Sequence, residues 1–126
     1  MSDQRPTTTE LVEAVREFVE REVQQQLEGS TAFHARIAVN VLRIVERELS
    51  AGAAPGAAEQ RRLEALLGFE GALGELNARL VEGIRAGDLC VDTPGLVEHL
   101  RATVMARLGI DNPRYGSYRR ALDEDA

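Results

Sequence analysis

Apolar residues recur every three or four positions along most of this chain, and this spacing constrains its fold more than any other feature. In the second long segment, for example, Ile37, Val41 and Ile44 follow the period of one helical face. No stretch alternates between apolar and polar residues over a useful length, as a half-buried strand would. Since the connections between segments are short, the sequence predicts an all-α fold, an up-down antiparallel bundle of four to five helices.

The first helix has a clear start signal and a clear stop signal. Thr7 and Glu10 have the spacing of a capping box, and Gly29 can end the helix after about Leu27 in a left-handed conformation. Within these limits the apolar residues fall in one arc that is expected to face the core. The residues of this arc are Leu11, Val12, Val15, Phe18, Val19 and Val23.

The second helix has a wider apolar face and is therefore expected to lie at the centre of the bundle. Ser30 or Thr31 is placed to cap it, and the pattern continues to about Leu49. Its apolar arc covers about half the circumference, which indicates contact with more than one neighbour. The members of this arc are Phe33, Ile37, Ala38, Val41, Leu42, Ile44, Val45 and Leu49.

Glycine and proline mark the boundaries in the rest of the chain. Residues 50–57 are expected to form a loop, and a third helix begins near Ala58. Gly68, Gly71 and Gly74 predict either a kink or a loop within the following helical region, because each glycine costs about 1 kcal/mol relative to alanine in a helix. The remaining predicted boundaries are a helix end at Gly87, a cap at Asp92 or Thr93 with Pro94 in the first turn, and a stop at Asn112-Pro113.

Length and charge limit the class of protein. A chain of 126 residues fits one domain, so residues 1–126 are expected to form a single helical bundle with flexible segments at 1–6 and 121–126. The net charge of -6 and the pI near 5.0 argue against nucleic-acid binding. All basic residues are arginine, which is typical of GC-rich bacterial coding.

The location is expected to be the cytoplasm, and no membrane association is predicted. The N-terminus lacks the apolar stretch of a signal peptide, and no apolar run approaches the ~20 residues of a membrane span. Cys90 is the only cysteine, so no disulfide within the chain indicates an oxidising compartment. Cys90 lacks a visible base and is interpreted as a small apolar residue in a connecting segment.

Three stretches together resemble a bacterial family of short helical proteins that is known only as a domain of unknown function. They are AFHARIAVNVLRIVERE, LNARLVEGIRAG and HLRATVMARLGIDNPRY, and the resemblance extends from about Arg5 to Arg119. Members of that family are often encoded beside aminoglycoside- or choline-kinase-like phosphotransferases and beside acyl-CoA dehydrogenase-like enzymes. The resemblance therefore implies an accessory role beside such an enzyme, and it implies no catalytic residue.

A row of polar residues on the second helix is the first candidate site. Arg36, Asn40, Arg43 and Arg47 are spaced by four, three and four residues and share a narrow strip of the helix. Three guanidinium groups on one edge are suited to a phosphate or carboxylate, which favours binding of a small anionic metabolite or acyl-CoA. The alternative is a solvated edge that pairs with acids of the first helix, with Asn40 partly buried beside the apolar arc. Those acids are Glu13, Glu17 and Glu20.

A second candidate is a buried polar pair. His34 falls inside the apolar arc of the second helix, and Glu22 and Gln26 fall inside that of the first. An antiparallel hairpin is expected to bring His34 within contact of Glu22 or Gln26. The pair would be either an acid and base with tuned pKa values or a structural hydrogen bond that closes the hairpin.

The third candidate is the corner after the last strongly predicted helix. Arg107 precedes Asp111 by one turn, Asn112 and Pro113 end the helix, and Tyr115 follows. In the structural interpretation Arg107 pairs with Asp111 and the tyrosines fold back on the bundle. In the functional interpretation the corner docks a partner, because tyrosine and arginine are enriched at binding hot spots.

No catalytic residue, metal site or cofactor is predicted. Cysteine and histidine are too few and too scattered for a zinc site, and the chain contains neither a P-loop nor paired Glu-x-x-His motifs. His99, at the flank of its helix, is expected to be half exposed. The first functional hypothesis is therefore a non-enzymatic accessory or interaction protein, with a homodimer as one assembly, and the second is an anion binder that uses the arginine row.

Overall fold

The structure is a computed structural model that describes residues 4–126, and in that range the chain is helical without any strand. The all-α prediction is confirmed. Six α-helices are present in this range, where four to five were predicted, and a π-helical turn at Val19–Val23 and a 3₁₀ turn at Gln24–Gln26 follow the first of them. The helices are α1 (Thr8–Phe18), α2 (Gly29–Ala51), α3 (Ala54–Leu67), α4 (Leu73–Ala86), α5 (Leu96–Asp111) and α6 (Gly116–Asp125).

The chain forms two compact units, one ending at Gly52 and the other beginning at Ala53. The first unit contains α1, α2 and the turns between them, and the second contains α3 to α6. A single up-down bundle over the whole chain stays a prediction. Residues 1–3, part of the N-terminal segment predicted to be flexible, lie outside the described residues.

The capping box at the start of the first unit is confirmed. The Glu10 backbone N–H donates to the Thr7 hydroxyl at 3.1 Å, and the Thr7 N–H donates to the Glu10 carboxylate at 2.8 Å. The predicted helical segment continues to Gln26, but its last eight residues are π and 3₁₀ turns. A π turn changes the direction of the side chains that follow relative to an α-helix.

The start of α2 differs from the prediction. Gly29 adopts a positive φ of 62°, but it is the first residue of α2 rather than the end of the preceding helix. The N-cap is Glu28, which makes no side-chain capping bond, and Ser30 and Thr31 lie within the first turn. The predicted cap at Ser30 or Thr31 is therefore wrong, because the chain already enters the helix through the extended backbone of Glu28.

The face by which α2 packs also differs from the prediction. The buried residues of α2 are Ala35 and Val39, which lie outside the predicted apolar arc, whereas Ile37 and Val41 are 42% and 51% exposed. Ala35, Val39 and Glu46 share one side of the helix, and Glu46 binds Arg16 of α1. Ala35 and Val39 pack in the hairpin, whereas Phe33, Ile37 and Val41 were wrongly assigned to the core. Other large members of the predicted arc, Leu42, Ile44 and Val45, are partly buried.

The core of the second unit is built from leucines of α3, α4 and α5. Leu63 and Leu76 are fully buried, and Leu80 and Leu96 join them in one cluster. Partly buried leucines surround the cluster, which gives this unit a continuous apolar interior. The surrounding residues are Leu66, Leu67, Leu73 and Leu89.

The glycine series marks a break between two helices rather than a kink. Gly68 and Gly71 lie between the helices, and Gly74 lies in the first turn of the second one. α3 ends at Gly68, whose φ of 84° lies in the left-handed region that favours glycine, and α4 begins only at Leu73. The predicted helix end at Gly87 is confirmed. α3 itself begins at Ala54 rather than near Ala58, because Pro55 occupies its first turn, where proline is tolerated.

Two boundaries near the C-terminus need correction. α5 begins at Leu96 after Gly95, so the predicted cap at Asp92 or Thr93 is wrong; the Thr93 hydroxyl instead accepts the Cys90 N–H at 2.9 Å. The segment 121–126 was predicted to be flexible, but α6 continues to Asp125 and Arg101 binds the Asp125 carboxylate at 3.0 Å. The predicted helix end at Asn112 is confirmed.

Replacing Leu63 with alanine is expected to destabilise the protein by roughly 2–5 kcal/mol, because it removes a side chain with no exposed surface from the leucine cluster. The matched control is Leu100→Ala on α5, where the side chain is substantially exposed and the loss should stay within about 1 kcal/mol. Urea unfolding followed by circular dichroism measures both. Equal losses for the two variants would contradict the assigned core.

Candidate functional site

A network of four charged side chains joins α1, the π turn and α2. Arg16 donates from Nε to Glu46 at 2.7 Å and from Nη1 to Glu20 at 3.0 Å, and Glu20 in turn accepts from Arg43 at 2.7 Å. The side chains of Arg16 and Glu46 are only 13% and 17% exposed. Their hydrogen bond raises the pKa of Arg16 above its ordinary value, and the bond from Arg43 lowers the pKa of Glu20. The two helices are therefore tied together through fixed charges.

The predicted arginine row is only partly available to a ligand. Arg43 is half-buried, and its guanidinium donates a hydrogen bond to the Glu20 carboxylate. This contact supports the interpretation in which the arginine edge pairs with acids of the first predicted helix. Arg36 is exposed and lies 5.8 Å from the centre of the Phe33 ring. Arg47 is half-buried. Asn40 is exposed, so the prediction that it is partly buried is wrong.

The predicted buried pair of Glu22 and His34 is wrong, because both side chains are exposed, as is Gln26. The Nδ1 atom of His34 lies 2.8 Å from the carbonyl oxygen of Ser30, so its N–H donates within its own helix. The imidazole also packs edge to face against the Phe33 ring, with the two ring centres 5.6 Å apart. The π turn that contains Glu22 changes its direction from the one that an α-helical period predicts.

The corner after α5 matches the structural interpretation in part. Arg107 donates from Nε to the Asp111 carboxylate at 2.8 Å, and the Asn112 N–H donates to the Leu108 carbonyl at 2.8 Å. Tyr115 remains 48% exposed and does not fold back. Tyr118 packs against Gly109 of α5. A Cβ atom added at Gly109 would lie only 2.9 Å from the Tyr118 hydroxyl. A docking role for this corner stays a prediction.

The most enclosed polar group in the described part of the chain is one that the sequence analysis missed. His99 is 3% exposed, so the prediction of a half-exposed side chain is wrong. Arg62 of α3 donates from Nε to His99 Nδ1 at 3.1 Å and from Nη2 to the Thr103 hydroxyl at 3.0 Å. Leu96, His99 and Thr103 share one face of α5, and that spacing was the available signal.

The hydrogen bond from Arg62 fixes the tautomer of His99. Because Nδ1 accepts, the neutral imidazole carries its proton on Nε2. Burial lowers the pKa of His99 and the positive charge of Arg62 lowers it further, while Glu59 opposes these effects. His99 is therefore a neutral hydrogen-bond donor at physiological pH.

A cavity of about 330 Å³ opens to solvent beside this histidine. Its wall combines apolar side chains from α3 with the N-terminal end of α5 and with the Arg62–His99 pair. The arrangement joins a fixed guanidinium and a neutral imidazole to an apolar surface. The residues that form it are Arg62, Ala65, Leu66, Pro94, Gly95, Glu98 and His99.

Cys90 is exposed rather than packed as a small apolar residue. A hydrogen bond from the Asp92 backbone lowers the pKa of its thiol, and the Thr93 side chain contributes in the same direction. The Thr93 hydroxyl lies 3.9 Å from the sulfur. These contacts favour the thiolate form of Cys90.

Two apolar stripes remain accessible on the first unit. Each follows helical spacing, and each member has roughly half of its surface exposed. The α1 stripe is Leu11, Val15 and Phe18, and the α2 stripe is Phe33, Ile37 and Val41. Exposed apolar side chains in contiguous sets mark interaction surfaces more often than isolated ones do.

Two kinds of feature are absent from residues 4–126. None of the helices there is both long and apolar enough to cross a membrane. Within the same range, no group of three or more histidine, cysteine, aspartate or glutamate side chains is placed to hold a metal ion.

Comparison with known families gives one match. A family model described as a domain of unknown function, DUF6285, matches residues 25–115. The match covers most of the chain and includes α2 to α5. No curated protein and no solved structure matches the chain.

The stability of the protein is expected to fall when the pH is lowered from about 7.5 to about 5.5, in part because of His99. The folded state lowers the pKa of His99 below its ordinary value of 6.5, so the unfolded chain binds the proton more readily and is favoured as the pH falls. His99→Gln keeps an acceptor for Arg62 but cannot be protonated, and should reduce this dependence. Urea midpoints at the two pH values measure the effect.

The exposed His34 provides the control, and His34→Gln should leave the pH dependence as in the unsubstituted protein. If His99→Gln and the unsubstituted protein lose the same stability on acidification, His99 does not carry the proton linkage.

Proposed function

This chain belongs to the DUF6285 family, and we propose that it is a non-enzymatic accessory protein that binds an enzyme through the apolar stripes of α1 and α2. The single observation that carries the proposal is the exposure of Phe33, Ile37 and Val41 on one face of the longest helix. Leaving three large apolar side chains in water has a cost of about 25 cal/mol per Å² of apolar surface, which a partner can recover.

The packing of the hairpin explains why this stripe is free. Ala35 and Val39 occupy the side of α2 that carries Glu46, the residue held by Arg16. The stripe of Phe33, Ile37 and Val41 lies on the other side of the helix, about half a turn away. It is therefore presented on a helix whose orientation is already fixed, which limits the entropy lost on binding.

The residues beside the stripe also suit a protein interface. The Arg36 guanidinium lies over the Phe33 ring, and this combination of an aromatic ring and an arginine is enriched at binding hot spots. Its exposed location leaves the guanidinium able to meet a carboxylate or carbonyl group of a partner. A charged rim around an apolar centre is the usual composition of such surfaces.

The family resemblance supplies the kind of partner. It implies a phosphotransferase-like enzyme of the aminoglycoside- or choline-kinase type, or an acyl-CoA dehydrogenase-like enzyme, in the bacterial cytoplasm. A second copy of this chain is a further candidate occupant of the same surface, which would give a homodimer. The net charge of -6 gives no support to a nucleic acid as the partner.

The alternative function, binding of an anionic metabolite or acyl-CoA by Arg36, Asn40, Arg43 and Arg47, has weaker support. The Arg43 guanidinium is already bonded to Glu20, and withdrawing it would leave a partly buried carboxylate without that partner. The cavity beside His99 is formed by other residues.

Val41→Gln is expected to weaken the complex with the partner enzyme by about tenfold or more, because it places an amide within the apolar stripe that meets the partner. Glutamine is a good helix former, so α2 should remain intact. The measurement is co-expression with each candidate enzyme, purification through a tag on this chain, and determination of the Kd by calorimetry. The molar mass in solution reports homodimer formation at the same time.

Val81→Gln on α4 is the matched control, since Val81 is 46% exposed and Val41 is 51% exposed. The control should retain the complex. If neither enzyme binds the unsubstituted protein, or if both variants bind as well as it does, the proposed surface is wrong.

A further inference from the structure

We infer that the cavity beside His99 binds a small monocarboxylate with a short hydrocarbon tail. The cavity lies within the second unit and uses none of the residues assigned to partner binding. Its volume of about 330 Å³ falls at the lower end of the range for small-molecule sites. The inference is independent of the accessory role proposed above.

The guanidinium of Arg62 supplies a positive charge that forms no ion pair within the described part of the chain. Its two hydrogen bonds go to neutral groups, His99 Nδ1 and the Thr103 hydroxyl, and no ion pair joins it to an acid within residues 4–126. These bonds hold the group in one orientation. A planar guanidinium fixed in this way, with donors to spare, is suited to a carboxylate.

The imidazole of His99 supplies a second donor. Since Nδ1 accepts from Arg62, the proton is on Nε2, and no protein group in residues 4–126 bonds to that atom. In the same range, every completely buried side-chain nitrogen and oxygen has a hydrogen-bond partner. Since Nε2 has no such partner, it is not completely buried and retains contact with solvent. His99 belongs to the wall of the cavity, and we place this contact there. A side chain that is 97% enclosed thus retains a hydrogen-bond donor for a ligand.

The N-terminal end of α5 adds a positive electrostatic potential that favours an anion. Its N-cap is Gly95, which offers no side-chain acceptor. The Leu96 N–H donates to the Thr93 carbonyl, and the N–H groups of Val97 and Glu98 are left for water or a ligand. The N-terminus of a helix also carries partial positive charge, which favours an anion. Gly95 and Pro94 both belong to the cavity wall, so this end of the helix reaches the site.

The remaining wall selects among anions. Ala65, Leu66 and Pro94 offer an apolar surface that a hydrocarbon tail can cover. Glu98 lies in the same wall, and the negative charge of Glu59 on α3 interacts electrostatically with His99. Both carboxylates disfavour a ligand with two negative charges. One guanidinium and one neutral imidazole match a single carboxylate rather than a phosphate.

The test uses sodium hexanoate as the probe and the imidazole nitrogens as the reporter. The chain has two histidines, so nitrogen NMR can follow His99 while the exposed His34 serves as an internal reference. Hexanoate should shift the Nε2 resonance of His99 in a saturable way and leave His34 unchanged. Hexan-1-ol, which has the same tail without the charge, and inorganic phosphate should both bind at least about tenfold more weakly.

Two variants assign the site. Arg62→Gln should weaken hexanoate binding by about tenfold or more, whereas Arg61→Gln, which changes the adjacent exposed arginine, should leave it unchanged. Glu98→Gln removes the nearby negative charge and should strengthen binding about two- to fivefold. Glu98 is exposed, so this variant does not depend on the stability of the Arg62–His99 pair.

Any one of the following results would overturn the inference. The first is no saturable shift of His99 with hexanoate, the second is equal binding of hexan-1-ol or phosphate, and the third is no gain in affinity for Glu98→Gln. Loss of binding in both Arg61→Gln and Arg62→Gln would also count against it, because general charge attraction would then explain the effect.

Discussion

The bidentate contact between Arg16 and Glu46 determines how the first unit is arranged. The two side chains are mostly enclosed, and removing either one would leave the other charge without its principal partner in a poorly solvated place. Because Glu46 shares a side of α2 with Ala35 and Val39, the same contact sets which side of that helix meets α1. The exposed apolar stripe on the opposite side is a consequence.

The second unit holds a buried polar side chain by pairing a charged guanidinium with a neutral imidazole. Arg62 holds His99 through a hydrogen bond, and the imidazole is thereby buried without charge beside the leucine cluster. A buried polar group is tolerated when it is bonded, and His99 also belongs to the wall of a cavity. The same residue therefore contributes both to the packing of this unit and to the cavity wall.

The two units therefore present different chemistry. The first offers large apolar side chains and a stacked arginine, which suit the flat surface of another protein. The second offers a small cavity with two fixed donors, which suits a single anionic group.

Much of the secondary structure followed from local signals. The capping box at Thr7 and Glu10, the helix ends at Gly87 and Asn112, and the break after Gly68 were all readable, because each depends on a few neighbouring residues. The errors at Gly29 and Thr93 arose where the extended backbone of Glu28 and the hydroxyl bond of Thr93 replaced the expected caps.

The sequence by itself determined that this chain is helical, where most of its helices end, and that α2 is apolar around much of its circumference. Only the tertiary structure decided that Ala35 and Val39, rather than Ile37 and Val41, would be buried, and that His99 would be enclosed by Arg62. The physical reason is the range of the interactions. Caps and breaks are set within one turn of helix, whereas the buried side of a helix depends on partners 30 or more residues away, as in the pairs Arg16–Glu46 and Arg62–His99.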